Sequence, residues 1–239
     1  MNTLAVLLIS IGVAQAGVLT NLISDDPPSN QTITDDTLKK LLEFVKSLAN
    51  NVETIPDLNM NSDTKVLFYN VTTKNATVKD LNTFETLFTH ADMDNLNFAV
   101  KIRFPELNLT GLYSIKAKSE DFELTGDGPF SVDVKNLTLA VNISLELLSD
   151  NTLEVKDLLL DYEEQAIKIN FNMLGGNEMV SQTLNELINV ALPELLQSIK
   201  PNVEELAREK VKQYGAFVLG GMTVQDFVQF IYDFIPNKH

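Results

Sequence analysis

From about residue 65 to residue 173 the chain alternates apolar and polar residues, whereas on both sides of that block its apolar residues recur every three or four positions. In NLNFAVKIRF (95–104), Leu96, Phe98, Val100, Ile102 and Phe104 share one face, with Asn, Lys and Arg mostly on the other. FPELNLTGLYSIKAK follows, and there the apolar phase is odd: Leu107, Leu109, Tyr113, Ile115 and Ala117. Such segments predict strands with one oily face, which must be buried against something.

Turn residues divide the block. Pro105-Glu106 predicts a turn between the two strands just named, and Gly126-Asp127-Gly128-Pro129 a second. In FSVDVKNLTLAVNISLELL the apolar phase is even from Phe130 to Val134 and odd from Leu137 to Leu147, a slip near Lys135-Asn136 that predicts a β-bulge bending a long strand. Two more strands, 152–162 and 165–173, meet at Glu163-Glu164. Ahead of the block, Leu38, Leu41, Leu42, Val45 and Leu48 predict an amphipathic helix over 35–49, ended before Ile55-Pro56-Asp57. Behind it, 178–217 reads as helix that Pro193 and Pro201 should kink or divide, and Thr223 caps a last helix, VQDFVQFIYDF. Helices set apart from strands along the chain predict an α+β domain.

The sequence contains no cysteine, so disulfides, thiol nucleophiles and Cys-ligated metals are excluded and stability must come from an apolar core. The opening MNTLAVLLISIGVAQAG carries an apolar run and Ala14-Gln15-Ala16, which predicts a signal peptide over 1–16 and a secreted mature chain starting at Gly17. An extended lead-in over 17–34, with paired prolines, then precedes a single domain over 35–239. Secretion agrees with six Asn-x-Ser/Thr acceptors, at Asn30, Asn70, Asn75, Asn108, Asn136 and Asn142, of which Asn108 and Asn142 fall on the polar phase of their strands. The formal net charge of -15 disfavours nucleic acid and anionic membrane surfaces as partners.

Signals for catalysis are sparse. The only histidines are His90 and the terminal His239, and no nucleophile elbow, HExxH or phosphate-binding loop is present. Asp92-Met93-Asp94-Asn95 begins like a calcium loop, but Asn97 stands where that loop needs glycine and no glutamate follows at its twelfth position. No cofactor is expected.

FPELNLTGLYSIKAK followed by GDGPFSVDVKNLTLAV resembles the proline, Gly-x-Tyr and Gly-x-Gly run of the insect takeout and juvenile hormone binding protein family. NFNMLGGNEMVSQTLNELINVALPELLQSIKPNVEELAREKV is similar to that family's Gly-Asn turn and long helix rich in Asn, Glu, Leu and Pro. The resemblance implies a strongly curved antiparallel sheet wrapped around a long C-terminal helix, enclosing a hydrophobic tunnel, as in tubular lipid-binding proteins. It implies a non-enzymatic, monomeric carrier of a small lipophilic ligand such as a terpenoid hormone or fatty acid. The family usually has an N-terminal disulfide that this chain lacks; mite group 7 allergens resemble the same fold, are similarly acidic and can lack it too. Without that bridge the first helix is expected to be freer to open one end of the tunnel.

On that reading the inward phase supplies the lining. From β segments come Phe98, Val100, Ile102, Phe104, Ile115, Val132, Val134, Val141, Ile143, Ile169 and Phe171; from helices come Leu42, Val45, Leu184 and Ile188. Tyr113 is the candidate for orienting a ligand head group, against the alternative of a buried tyrosine satisfied by backbone. Two other function classes stay open: a protein-interaction role using the apolar face of the first or last helix, and a lipid-ester hydrolase using His90.

Overall fold

The computed structural model describes residues 32–63, 68–118, 120 and 123–235. The predicted signal peptide, the predicted lead-in up to residue 31 and the sequon at Asn30 lie outside the described residues. In chain order the elements are α1 (Asp35–Leu48), β1 (Val52–Ile55), β2 (Leu58–Asp63), β3 (Phe68–Lys79), a 3-10 turn, β4 (Glu85–Asp92), β5 (Asn97–Lys118), β6 (Glu123–Leu147), β7 (Leu153–Glu163), β8 (Ala166–Phe171), a second 3-10 turn, α2 (Glu178–Leu219) and α3 (Val224–Phe234). The architecture is α+β. Eight described strands form one open antiparallel sheet in the order β1-β3-β5-β6-β7, with β2 on β3, β4 on β5 and β8 on β6.

Neither predicted turn interrupts its strand. Pro105-Glu106 lies inside β5, and 126–129 lies inside β6, so these two strands run 22 and 25 residues and pair along their length. The phase slip is real, but it is no bulge in one strand. Phe104 pairs with Leu137 and Glu106 with Lys135, so the register does not change across it. Both strands slip together, Asn136 in the left-handed region at φ 48° opposite Pro105. A proline has no N–H for a ladder, and asparagine tolerates positive φ better than most residues, which is why this pair can occupy the middle of two central strands.

The slip is also where both strands change neighbours. On β5, β4 covers residues 97–103 and β3 covers 108–118. On β6, β8 covers 130–135 and β7 covers 138–147. The sheet is therefore two antiparallel halves that share β5 and β6 and meet along the line from Pro105 to Asn136. Sequence reasoning found β3 and β5 to β8 but passed over β1, β2 and β4, short strands whose mixed polar and apolar residues give weak alternation.

α1 and α3 begin where their caps place them. Thr34 accepts from the N–H of Thr37, and Thr223 and Asp226 form a reciprocal capping box. Non-covalent ties hold α1: the Asp35 carboxylate accepts from the Ala91 N–H at 2.7 Å, Tyr232 Oη and Thr37 Oγ1 lie 3.3 Å apart, and Phe44 meets Phe234 edge-on at 5.2 Å. Tyr232 Oη also donates to the Thr32 carbonyl at 3.0 Å.

α2 continues through Pro193 and Pro201, which the sequence predicts to kink or divide it, and they do not divide it. Its attachment to the sheet is polar. β8 pairs only with β6, and its other edge is closed by side chains of α2. The Asn185 amide accepts from the Phe171 N–H at 2.9 Å and donates to the Phe171 carbonyl at 2.8 Å; the Asn189 amide does the same for Ile169, at 2.8 and 2.7 Å. Ser181 Oγ donates to the Phe171 carbonyl at 2.6 Å and accepts from the Leu174 N–H at 3.2 Å. The periods match: four helical residues rise about 6 Å and two strand residues about 6.6 Å, so amides at i and i+4 meet alternate peptides of the strand. The helix acts as a ninth strand made of side chains.

Two expectations follow, both read by chemical denaturation of unglycosylated protein. Asn136→Val should cost about 1–2 kcal/mol because a β-branched residue is penalised at positive φ, while Asn136→Gly should cost well under that. Asn185→Leu keeps apolar volume but strands the Phe171 N–H, and should cost about 2 kcal/mol.

Candidate functional site

The register settles which predicted lining residues face one another. Phe98 pairs with Ile143, Val100 with Val141, Ile102 with Leu139 and Phe104 with Leu137; beyond the slip Leu107 pairs with Val134, Leu109 with Val132, and Ile115 with Gly126. Because both strands slip together, the apolar phase stays on the same side in both halves. The odd-numbered face of 107–117 thus points inward, and Leu107, Leu109, Tyr113 and Ala117 are buried.

Buried residues gather in two clusters. The first takes in Phe104, Tyr113, Val134 and Tyr162, with Leu42, Ile102, Ile115, Val132, Phe171, Leu184 and Ile188 packed on it half-buried. The second lies at the far end around Phe98, Leu145, Val155, Leu219 and Ile231, with Val100 and Ile143 half-buried against it. Val45, Val141 and Ile169 are half-buried and belong to neither cluster. Among the candidates only Phe98, Phe104, Tyr113 and Val134 are fully buried.

The glycines near Tyr113 explain themselves by packing. A Cβ on Gly111 would lie 2.8 Å from the Phe130 ring and 3.0 Å from Ala76 Cα; one on Gly126 would lie 2.9 Å from Tyr113 Oη and 3.0 Å from Leu174 Cα. Bare backbone there lets the Tyr113 hydroxyl donate to the Asn172 carbonyl at 2.6 Å, while its ring meets Phe171 edge-on at 4.8 Å. The hydroxyl proposed for a head group is thus committed to backbone. Burial pushes the Tyr113 phenol up, and the charge of Asp127 adds to the shift.

Sequence reasoning passed over a second tyrosine. Tyr162, in phase with Leu158 and Leu160 on β7, pairs with Leu139 and is 5% exposed. The Lys200 ammonium lies 5.0 Å above its ring, donates to its carbonyl at 3.2 Å and forms an ion pair with Asp161. Burial first, then the charge of Glu164, pushes the Tyr162 phenol up against the opposing pull of Lys200. Alternation alone carried the signal for this residue. The amides of Asn185 and Asn189 were also passed over, because an apolar periodicity search ignores polar positions beside Leu184 and Ile188.

The remaining candidates sit elsewhere. His90 is half-exposed on β4 with Asp35 as its carboxylate neighbour at 3.5 Å and Phe88 beside its ring. An open crevice of about 520 Å³ lies next to it, between Thr32–Asp36 and Ala91–Asp94; it is acidic and contains no predicted lining residue. Asp92, once considered for a calcium loop, instead accepts from the N–H and amide of Asn95, hydrogen bonds that hold its carboxyl below the usual range. Among the described residues no group of acidic and histidine side chains is arranged to hold a metal ion. Of the apolar faces suggested for partner docking, α1 buries Leu38 and leaves Leu48 exposed, while α3 buries Val228, Ile231 and Phe234, with Phe227 edge-on to Phe98 at 5.7 Å. Of the glycan acceptors, Asn70, Asn75 and Asn136 are exposed, while Asn108 and Asn142 are half-buried and the Asn108 amide donates to Asp133.

The long helix α2 meets the sheet at β7 and β8, with Leu184 and Ile188 packed on the first apolar cluster. The model of the haemolymph juvenile hormone binding protein (JHBP) family matches residues 51–229, and the chain belongs to that family. Among solved structures it is similar to Takeout 1 of Epiphyas postvittana, at 18% identity, TM-score 0.49, and coverage of 70% of this chain and 78% of that one. It is similar also to lipopolysaccharide binding protein, at 14% identity, TM-score 0.38, and coverage of 79% and 40%. No curated protein matches. Among the described residues no helix is long and apolar enough to cross a membrane.

Removing the Tyr113 hydroxyl should expose the commitment just described. Tyr113→Phe should lose about 1 kcal/mol by stranding the Asn172 carbonyl, and Gly126→Ala about 1–3 kcal/mol by steric conflict, both read as shifts in denaturation midpoint.

Proposed function

We propose that this protein is a secreted carrier that holds a small lipophilic molecule between the inner face of β5 to β8 and the helices α1 and α2. The observation that carries the reading is the half-buried sector of the inner face. Val100, Ile102, Val141 and Ile143, neighbours across β5 and β6, point inward with the rest of their strands yet stop short of full burial, beside the two buried clusters. In a solid core the inward phase of central strands is close-packed, so accessible apolar surface there is what a guest would cover. Membership of a family of hormone-binding proteins supports the same reading. The signal peptide over 1–16 and the sequons support secretion and glycosylation.

The energetics are those of transfer. Each methylene taken from water contributes roughly 0.8 kcal/mol, and association and ordering consume much of the total, so micromolar to nanomolar affinity is the expected range for a chain of terpenoid or fatty-acid length.

The test is mass spectrometry of an organic extract from protein secreted by insect cells, beside an unrelated secreted protein. A lipophilic species at near-stoichiometric amount is expected, reduced at least fivefold in Val141→Trp, which fills the half-buried sector. An empty extract together with no binding of terpenoids or fatty acids would overturn the carrier.

A further inference from the structure

The inner face presents two tyrosines, and the fold treats them oppositely. Tyr113 gives its hydroxyl hydrogen to the Asn172 carbonyl. Tyr162 is as deeply buried, at 5% exposure, and among the described residues its hydroxyl has no hydrogen-bond partner. Buried hydroxyls without partners are uncommon because removing them from water carries an uncompensated cost. Natural folds retain one where something other than the fold uses it.

The surroundings say what could use it. Through the register, Tyr162 on β7 stands beside Leu139 on β6, then Ile102 on β5, then Thr86 on β4, one cross-strand row on the inner face. Thr86 Oγ1, at the other end of that row, is likewise buried without a partner. Two orphan hydroxyls therefore flank apolar Ile102 and Leu139. An apolar guest with one polar group meets hydrocarbon in the middle of the row and a donor at its end.

Charge selects the polar group. Glu164, Glu204 and Asp161 all act on the Tyr162 phenol, and the one opposing cation acting on it, Lys200, is already paired with Asp161. A carboxylate placed against the hydroxyl would enter that negative field without a free counter-charge. An uncharged acceptor suffers no such repulsion. The elevated phenol pKa keeps the hydroxyl protonated, hence a donor, at neutral pH.

We propose that Tyr162 is the polar anchor of the interior, donating a hydrogen bond to an uncharged oxygen acceptor, such as an ester, ketone or ether, of the bound lipophile, and discriminating against fatty-acid anions. This rests on the carrier reading and adds to it the group that confers selectivity. Tyr113 stays a structural residue.

The experiment is displacement of N-phenyl-1-naphthylamine from the full mature chain by three competitors of similar length: methyl dodecanoate, dodecanoate and tetradecane. Wild type should prefer the ester over the alkane by about tenfold, the scale of one buried hydrogen bond, and over the anion as well. Tyr162→Phe should bring the ester down to the alkane's affinity, leave the alkane within twofold, and leave the melting temperature of ligand-free protein unchanged or higher, unlike Tyr113→Phe. Thr86→Val should leave the ester-to-alkane ratio within twofold. Equal losses for ester and alkane in Tyr162→Phe, an unchanged ester affinity, a wild type that prefers dodecanoate, or collapse of the ratio in Thr86→Val instead would each overturn the anchor while leaving the carrier standing. Failure of all three competitors, and of the dye itself, to bind wild type would overturn the carrier and the anchor with it.

Discussion

The juxtaposition of Pro105 and Asn136, opposite each other at one gap in the β5–β6 ladder, is the constraint on which the rest of the structure depends. Two central strands of more than twenty residues each would normally keep one phase from end to end, because side chains alternate strictly in a pleated strand. Here the apolar phase changes midway in both. A slip in one strand alone would turn half of its apolar residues to the outer face, since a displacement by one residue exchanges faces. Matching the slip across the pair preserves register and keeps one apolar side, and a proline lacking its N–H opposite a left-handed asparagine supplies the matched irregularity. The same line is where β4 gives way to β3 and β7 to β8, so a single local device organises two half-sheets around shared strands.

The second dependence is polar. A sheet that stays open leaves strand edges, and unpaired edges invite association with other chains. On β8 the edge is met by Ser181, Asn185 and Asn189, whose spacing on α2 fits the strand repeat. Fixing the helix by directed hydrogen bonds to backbone frees its apolar side chains, Leu184 and Ile188, to remain only half-buried beside the first cluster. The buried clusters and the amide ladder hold the fold, and on the proposed reading the half-buried positions Val100, Ile102, Val141 and Ile143 are the ones a guest would touch.

Much of this was legible because periodicity is a local property. The two short helices could be read, the last with its cap Thr223, since capping depends on a few adjacent residues. The inward phase of β5 and β6 was legible for the same reason, and the slip at Lys135-Asn136 was visible as a change of parity. Its partner at Pro105 was misread as a turn, because proline breaks a strand in isolation but is tolerated where its neighbour strand has ended. Pro193 and Pro201 do not divide α2, where helix continues on both sides. Tyr113 drew attention through its motif, yet whether its hydroxyl was free depended on Asn172, 59 residues away.

What the sequence by itself determined is the set of local preferences: which segments are strand or helix, which face of each is apolar, that no disulfide can staple them, and through its ordered motifs the family. Which polar groups are satisfied was decided only by the tertiary structure. Tyr113 and Tyr162 look alike in alternating strands, and Asn185 and Asn189 look like ordinary helix-surface residues. Their roles differ because hydrogen bonds require a partner within about 3 Å, and only folding brings the Asn172 carbonyl to one tyrosine, the edge of β8 to the asparagines, and no group of the described residues to the hydroxyl of Tyr162.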